Sequence, residues 1–257
     1  MPSETMPKTE DGVIGEGLRP LTDSLQLGGR VYKVLANSIV SGKLASGSPL
    51  RPDMVARQLE VSTTPVREAM HRLESDGLLV KVPYQGWYVR EFTEKEIKEL
   101  YEFRASLEKF GIRVACARIT PNELKWMRKH QLVGKAALKS KDMDEYRLYN
   151  RDFHQAILRI AGNSYLTSAM AQVALQSEML SAKTIKISGR SLKALEEHAK
   201  LIDLMEGRRF SEAEKLIETH IMSALQAILS SGVAVSQARG HRGDESSETR
   251  KMQASYA

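Results

Sequence analysis

Residues 61–77 read VSTTPVREAMHRLESDG, and the spacing inside this run decides the reading of the N-terminal part of the chain. Val66, Ala69, Met70 and Leu73 fall at i, i+3, i+4 and i+7, the apolar stripe of an amphipathic helix. Thr64 is placed to cap that helix, and Pro65 suits its first position because no amide partner is lost there. Asp76–Gly77 stops it. Thr64, Arg67 and His71 share another face, turned away from the stripe.

Upstream, Met54, Val55 and Leu59 predict a short helix over about 53–60. Before it, Val31, Val34, Leu35 and Ile39 predict a helix from Arg30 to Ser41, closed by the loop SGKLASGSP. Downstream, LLVKVPYQGWYVR at 78–90 gives two β-like runs around Pro83–Gly86, a hairpin. Two short helices joined by a tight turn and followed by a hairpin form a winged helix-turn-helix. Its second helix enters the major groove with its N-terminal residues leading, and the wing tip reaches phosphates or the minor groove. The competing reading is a solvated three-helix module in which Arg67 is merely exposed. The order of the elements favours DNA.

Composition bounds the rest. The 257 residues allow one or two domains, and 42% hydrophobic with 27% charged residues excludes a chain disordered throughout. Lys and Arg number 38 against 32 acids, a net charge of +6 that permits nucleic acid, an acidic membrane surface or an acidic ligand without choosing among them. Cys116 is the only cysteine, which excludes an intrachain disulfide framework and fits a reducing compartment. No apolar run reaches the roughly 18 residues of a spanning helix, and MPSETMPKTEDGVIGEG lacks the basic start and apolar core of a secretory signal. The sequence therefore reads as cytoplasmic, with no membrane partner.

Texture divides the chain. Residues 1–25 and 232–257 lack hydrophobic periodicity and read as a flexible arm and a flexible tail. Glycine and proline punctuate 26–92, whereas Pro121 is the only proline in 93–231. That second part predicts six helices, at about 94–117, 121–139, 142–162, 165–187, 190–206 and 210–230. The expected fold is mostly α: an N-terminal winged helix-turn-helix with a small hairpin wing, then a six-helix antiparallel bundle.

Three of the bundle helices each carry a histidine on their apolar face. Tyr146, Asn150, Phe153, His154 and Ile157 share one stripe, with Asn150 and His154 four apart. Leu195, His198, Ile202 and Met205 make a second, and Ile217, His220, Ile221 and Ala224 a third. A lone histidine on such a face is more often a hydrogen-bonded core residue than a ligand. Three in one helical domain point to mutual coordination of a divalent metal, because burial without a partner is costly. Zinc and nickel suit imidazole. Arg104, on the stripe Ile97, Leu100, Tyr101, Arg104, Glu108, either grips an acid group or pairs with Glu108 at i,i+4. Tyr146 either lines the same pocket or is a core aromatic. His71, His130 and His241 are set outside the cluster.

The stretch SGKLASGSPLRPDMVARQLEVSTTPVREAMHRLESDGLLVKVPYQGWYV resembles the winged-helix reader of the GntR family of bacterial regulators, most specifically in TPVREAM and RLESDGL. Residues 93–231 resemble the all-helical FCD effector domain of the family's FadR-type branch. The NRDFHQAI segment, the Gly162–Asn163 break and the interval of 22 between His198 and His220 carry this resemblance. Six helices point to the VanR-like subgroup. Together the two resemblances span about four-fifths of the chain. They imply that Arg51, Ser62, Thr63, Thr64, Arg67 and Gly86 face DNA, with Arg67 the main contact. The family usually has arginine where Thr63 stands and often a basic residue where Asp53 stands. They also imply that Asn150, His154, His198 and His220 hold the metal; a small organic acid bound there is the expected effector, with Arg104 and Tyr146, by their stripe positions, its candidate contacts. The implied function is a ligand-responsive regulator, a repressor, working as a homodimer on a palindromic DNA operator. The expected coupling element is the 90–95 linker with the first bundle helix. The competing class is a metal-dependent hydrolase using the same histidines. Against it, the sequence has no HExxH, no P-loop and no GxSxG. A third reading gives the histidines a folding role alone.

Overall fold

The computed structural model describes residues 24–184 and 189–231. Most of the expected arm, the expected tail, the end of the predicted 165–187 helix and Ser188 lie outside the described residues.

Helix α1 spans Ser24–Val40 and starts well before Arg30. Gly28 and Gly29 have low helix propensity, so the local pattern fades there, but packing of α1 on the third helix sustains the turn. Strand β1 is Pro49–Leu50, helix α2 is Pro52–Leu59 and helix α3 is Thr63–Ser75. The N-cap of α3 is Ser62, not Thr64, and its side chain makes no capping hydrogen bond. Pro65 thus lies in the first turn, at the third position rather than the first, where its missing N–H is again no loss. Val66, Ala69, Met70 and Leu73 are all buried, as the stripe requires.

Strands β2 (Leu79–Val82) and β3 (Gly86–Val89) pair antiparallel, with Leu79 opposite Val89 and Val82 opposite Gly86. β1 adds a third strand on the other side of β3, Leu50 opposite Trp87, giving the order β1-β3-β2. Two residues are too few to show alternation, so β1 has no sequence signal. Trp87 and Val89 point inward, and the indole N–H of Trp87 donates to Glu74 of α3 at 3.1 Å, tying wing to helix.

The second part consists of α4 (Glu94–Arg118), α5 (Pro121–Ser140), α6 (Met143–Ala161), α7 (Ser164–Thr184), α8 (Arg190–Glu206) and α9 (Phe210–Ser230). Thr93 with Glu96 and Thr120 with Glu123 form capping boxes that start α4 and α5. Asp142 caps α6 through the Glu145 amide. Lys109–Glu218 and Arg113–Glu214 pairs run α4 antiparallel to α9. Arg128–Asp203 and the Gln131 amide on the Leu195 carbonyl do the same for α5 and α8.

Two large apolar cores result, beside a small third cluster of Ala137, Tyr146, Tyr149 and Leu195. One joins the winged helix to Ile97, Tyr101 and Ala105 of α4, Met179 and Leu180 of α7, and Ile221, Leu225 and Ile228 of α9. The other lies within the bundle around Ile112, Phe153, Ile157, Leu201, Met205 and Ile217. Along α4, Glu108 falls between the two cores; along α9, His220 does. A polar layer therefore separates them.

Gly134 of α5 is packed so tightly that a Cβ there would stand 2.6 Å from the Tyr149 ring. Gly134→Ala gains about 1 kcal/mol of helix propensity. Overpacking costs about 1–3 kcal/mol and should win. A urea melt should show a lower midpoint than the parent; an equal or higher midpoint would contradict this packing.

Candidate functional site

His154 on α6, His198 on α8 and His220 on α9 are 6%, 0% and 3% exposed. One ring nitrogen from each lies within 4.8 Å of those of the other two. The three stripes thus meet. What orients the rings is the other nitrogen. His154 Nδ1 donates to Glu108 Oε2 at 2.5 Å, and His220 Nδ1 donates to Glu197 Oε2 at 2.6 Å. His198 Nδ1 is 3.0 Å from the Tyr149 hydroxyl. That hydroxyl donates its own proton to Gln131 Oε1 at 2.5 Å, and the Gln131 amide donates to the Leu195 carbonyl at 2.6 Å. The chain of donors leaves His198 Nδ1 to donate to the hydroxyl oxygen. All three rings therefore carry the proton on Nδ1 and an open lone pair on Nε2.

Those lone pairs are not satisfied by protein. His154 Nε2 is buried with no hydrogen-bond partner. His198 Nε2 and His220 Nε2 face each other at 3.3 Å, two acceptors in contact. Buried acceptors left this way are costly, and a cation on the Nε2 side relieves all three at once. Carboxylate or hydroxyl support of Nδ1 is the usual outer shell of a histidine-bound metal. The donor set fits a divalent ion.

The electrostatics agree. Burial pushes the His220 ring down to about 4, and burial together with His220 and His154 holds His198 well below its usual range. Burial alone would raise the Glu108 carboxyl. His154 and Arg104 outweigh it and hold Glu108 well below the carboxylate range. Glu197 follows the same pattern, with His220 and Arg190 opposing burial.

A pocket of about 480 Å³, counting its open mouth, lies over His154 and His220. Asn150 and Tyr146 line it, and the Tyr146 hydroxyl donates to the Ser191 carbonyl at 2.7 Å. Arg104 makes the i,i+4 pair with Glu108 that its spacing allows. Its Nε donates to Glu108 Oε1 at 2.6 Å, and the residue still lines the pocket. Arg190 also lines the pocket, 3.4 Å from Glu197 and 3.2 Å from the His220 carbonyl. His130 is elsewhere, stacked on Trp126 at 4.7 Å, and His71 packs edge-on against Trp87.

Sequence spacing did not find Glu197, Tyr149, Gln131 or Arg190. Tyr146, Tyr149 and Phe153 do follow helical spacing, and that stripe was the available signal for Tyr149. Glu197 had none, since it neighbours His198 in sequence but serves His220.

In the winged helix, Arg51, Ser62, Thr63, Thr64 and Arg67 are all exposed, clustered at the N-terminus of α3 and the start of α2. Gly86 opens β3 after the wing turn, where Tyr84 stands fully exposed with φ +62.

Residues 27–89 match the bacterial regulatory proteins, gntR family, and residues 99–223 match the FCD domain. The chain is similar to the Nta operon transcriptional regulator of Aminobacter aminovorans, 27% identical over 190 residues that cover 74% of this chain and 89% of the relative. The gluconate operon transcriptional repressor of Bacillus subtilis is 35% identical over 140 residues, 54% of this chain and 57% of the relative. Among solved structures, E. coli McbR/YncC superposes with a TM-score of 0.72 at 22% identity, covering 79% of this chain and 97% of that one. A GntR-type chain from Rhodococcus sp. RHA1 gives 0.69 at 21%, covering 80% and 98%. Reader and effector modules in this order define a DNA-binding transcription regulator, not an enzyme. The chain belongs to the GntR family, in the FadR-type branch that carries an FCD domain.

The depressed histidines make metal-free stability depend on pH. Above about 6.5 the His220 ring is neutral in both folded and unfolded chains and contributes nothing. Below that, the unfolded chain takes up a proton that the folded one refuses until about pH 4. Stability should therefore fall between those values, by roughly 3 kcal/mol at most from this residue. Thermal melts in chelator should show the fall, and His220→Gln should flatten it. An unchanged slope in the variant would refute the assignment.

Proposed function

We propose that the chain is a metal-dependent repressor that senses a small organic acid at the histidine cluster. The observation that carries this reading is the convergence of three Nε2 lone pairs whose Nδ1 protons are each fixed by a partner. His154, His198 and His220 hold the metal, and Asn150, on the pocket wall one turn before His154, is the fourth protein donor. Zinc or nickel suits this set. The ion, when bound, offers open positions to a carboxylate oxygen. Arg104 and Arg190, both lining the pocket, attract and orient the acid, and Tyr146 lines the same pocket.

Charge narrows the acid. The cluster contributes two arginines and two glutamates, which cancel, and three imidazoles, which are neutral when they ligate a metal. A neutral Asn150 adds nothing, so a divalent ion leaves about two positive charges for the ligand to meet. A dicarboxylate fits better than a monocarboxylate. That an operon repressor for gluconate is among the relatives supports an acid effector.

At the other end, Arg51, Ser62, Thr63, Thr64, Arg67 and Gly86 face DNA, and Arg67 makes the main base contact. A homodimer places two such faces on a palindromic operator. Among the described residues no helix is long and apolar enough to cross a membrane, and we read the protein as cytoplasmic. The hydrolase reading loses ground at the site itself: Glu108 and Glu197, its two nearest carboxylates, are occupied in orienting imidazoles.

Two measurements test this. Calorimetric titration of chelator-treated protein should give one zinc or nickel ion per chain. Glu197→Gln should weaken binding about 10–100-fold, and His154→Ala by more; parent-like binding in His154→Ala would sink the metal assignment. Selection from a random duplex library should enrich a short palindrome, and Arg67→Ala should lose about 1–3 kcal/mol of binding to it. No enrichment, or full binding by the variant, would refute the reader.

A further inference from the structure

The C-terminus of α3 is where the DNA-reading part meets the bundle. A helix ends with carbonyls that have no intrahelical donor. The last carbonyl of α3 and that of its C-cap residue are served from α7. Gln172 Nε2 donates to the Ser75 carbonyl at 3.0 Å, and Gln176 Nε2 donates to the Asp76 carbonyl at 3.2 Å. Gly77 makes the approach possible. It sits at φ +71, and a Cβ there would stand 2.3 Å from Gln176 Nε2. From the other side, the Tyr32 hydroxyl of α1 donates to the Asp76 carboxylate at 2.5 Å, with Arg72 over the Tyr32 ring.

The same helix reaches the effector pocket. Ser181 of α7 lines it, five residues beyond Gln176, about 7.5 Å along the axis. Between them, Met179 and Leu180 belong to the core shared with the winged helix. Glu178 is partly buried opposite Arg147 of α6 at 3.7 Å, and it feels the charges of Arg151, Arg147 and, more weakly, Arg104 on the pocket wall. Arg147 Nε and Nη1 are buried without a hydrogen-bond partner, so the link from Glu178 to α6 rests on charge and not on a fixed hydrogen bond. α7 thus reaches the end of α3 through these two glutamines while it packs along α1, α4, α6 and α9.

We infer that α7 transmits the state of the pocket to the recognition helix, with Gln172 and Gln176 as the positioning residues that set α3. This adds a second route alongside the 90–95 linker, where Arg90–Glu96 and the Thr93 capping box tie the linker to α4. It rests on the proposed pocket only for the location of the signal. An anion that takes up Arg104 changes the field on Glu178 and shifts α7, and the glutamines carry that shift to Ser75 and Asp76.

The test is amide hydrogen exchange over residues 70–78 of the full chain, with nickel alone as the probe. The parent should change its exchange there about fivefold or more on nickel addition. The near-isosteric Q172E/Q176E pair removes both donors. It should bind nickel as tightly as the parent yet lose the response at 70–78. A purely structural role would shift the basal rates and leave the nickel-dependent change intact. Retention of the response in the variant, or a parent that binds nickel with no change at 70–78, would overturn the inference. A parent that binds no nickel would instead sink the metal reading, and Ser181→Trp then supplies the perturbation. Filling the pocket from α7 should alter exchange at 70–78 in the parent background and not with Q172E/Q176E; no alteration overturns the inference.

Discussion

Three imidazoles buried between two apolar cores must find partners, and this requirement governs the arrangement of the bundle. Each Nδ1 is served from a different helix: Glu108 from α4, Tyr149 from α6 and Glu197 from α8. Glu108 in turn needs Arg104, and Tyr149 needs Gln131 of α5. Five helices are thereby committed to one polar layer. Apolar packing alone tolerates many registers of helix against helix, whereas a buried hydrogen-bonded network tolerates few, since every slip leaves a charged or polar group unpaired. The layer fixes register, and the register aims the Nε2 atoms at one another.

Local periodicity accounts for most of the fold. The stripe Val66, Ala69, Met70 and Leu73 gives α3, and the break residues Pro121, Gly162 and Gly207 fall at helix ends as read. Two features were not legible. The start of α1 runs through Gly28–Gly29 because α3 packs on it, a tertiary effect that overrides propensity. Strand β1 exists because β3 offers it a free edge, and two residues carry no pattern of their own.

At the site, the stripes identify which faces carry His154, His198 and His220, and so anticipate that the three rings turn inward. They do not identify the outer shell. Spacing reports neighbours on one helix, as it did for Arg104 and Glu108, which are four apart. Glu197 to His220 and Gln131 to Tyr149 join different helices, and only the fold supplies that information. The capping of α3 shows the converse limit. Ser62 and Thr64 are equally plausible caps by composition, and the backbone settled on Ser62.

The same layer lies where the winged helix and the bundle share helices. Ile221, next to His220, belongs to the core that also holds Val66, Met70 and Leu73 of the recognition helix. Ile217, one turn earlier, belongs to the core of the bundle. The histidine layer is thus the boundary across which the two modules share α4, α7 and α9, and any change in that layer is felt on both sides.

The most direct measurement is diffraction from crystals grown with nickel, recorded across the nickel absorption edge. One anomalous peak per chain should lie within bonding distance of Nε2 of His154, His198 and His220. A map empty at that point, or a peak held instead by His71 or His130, would contradict the account.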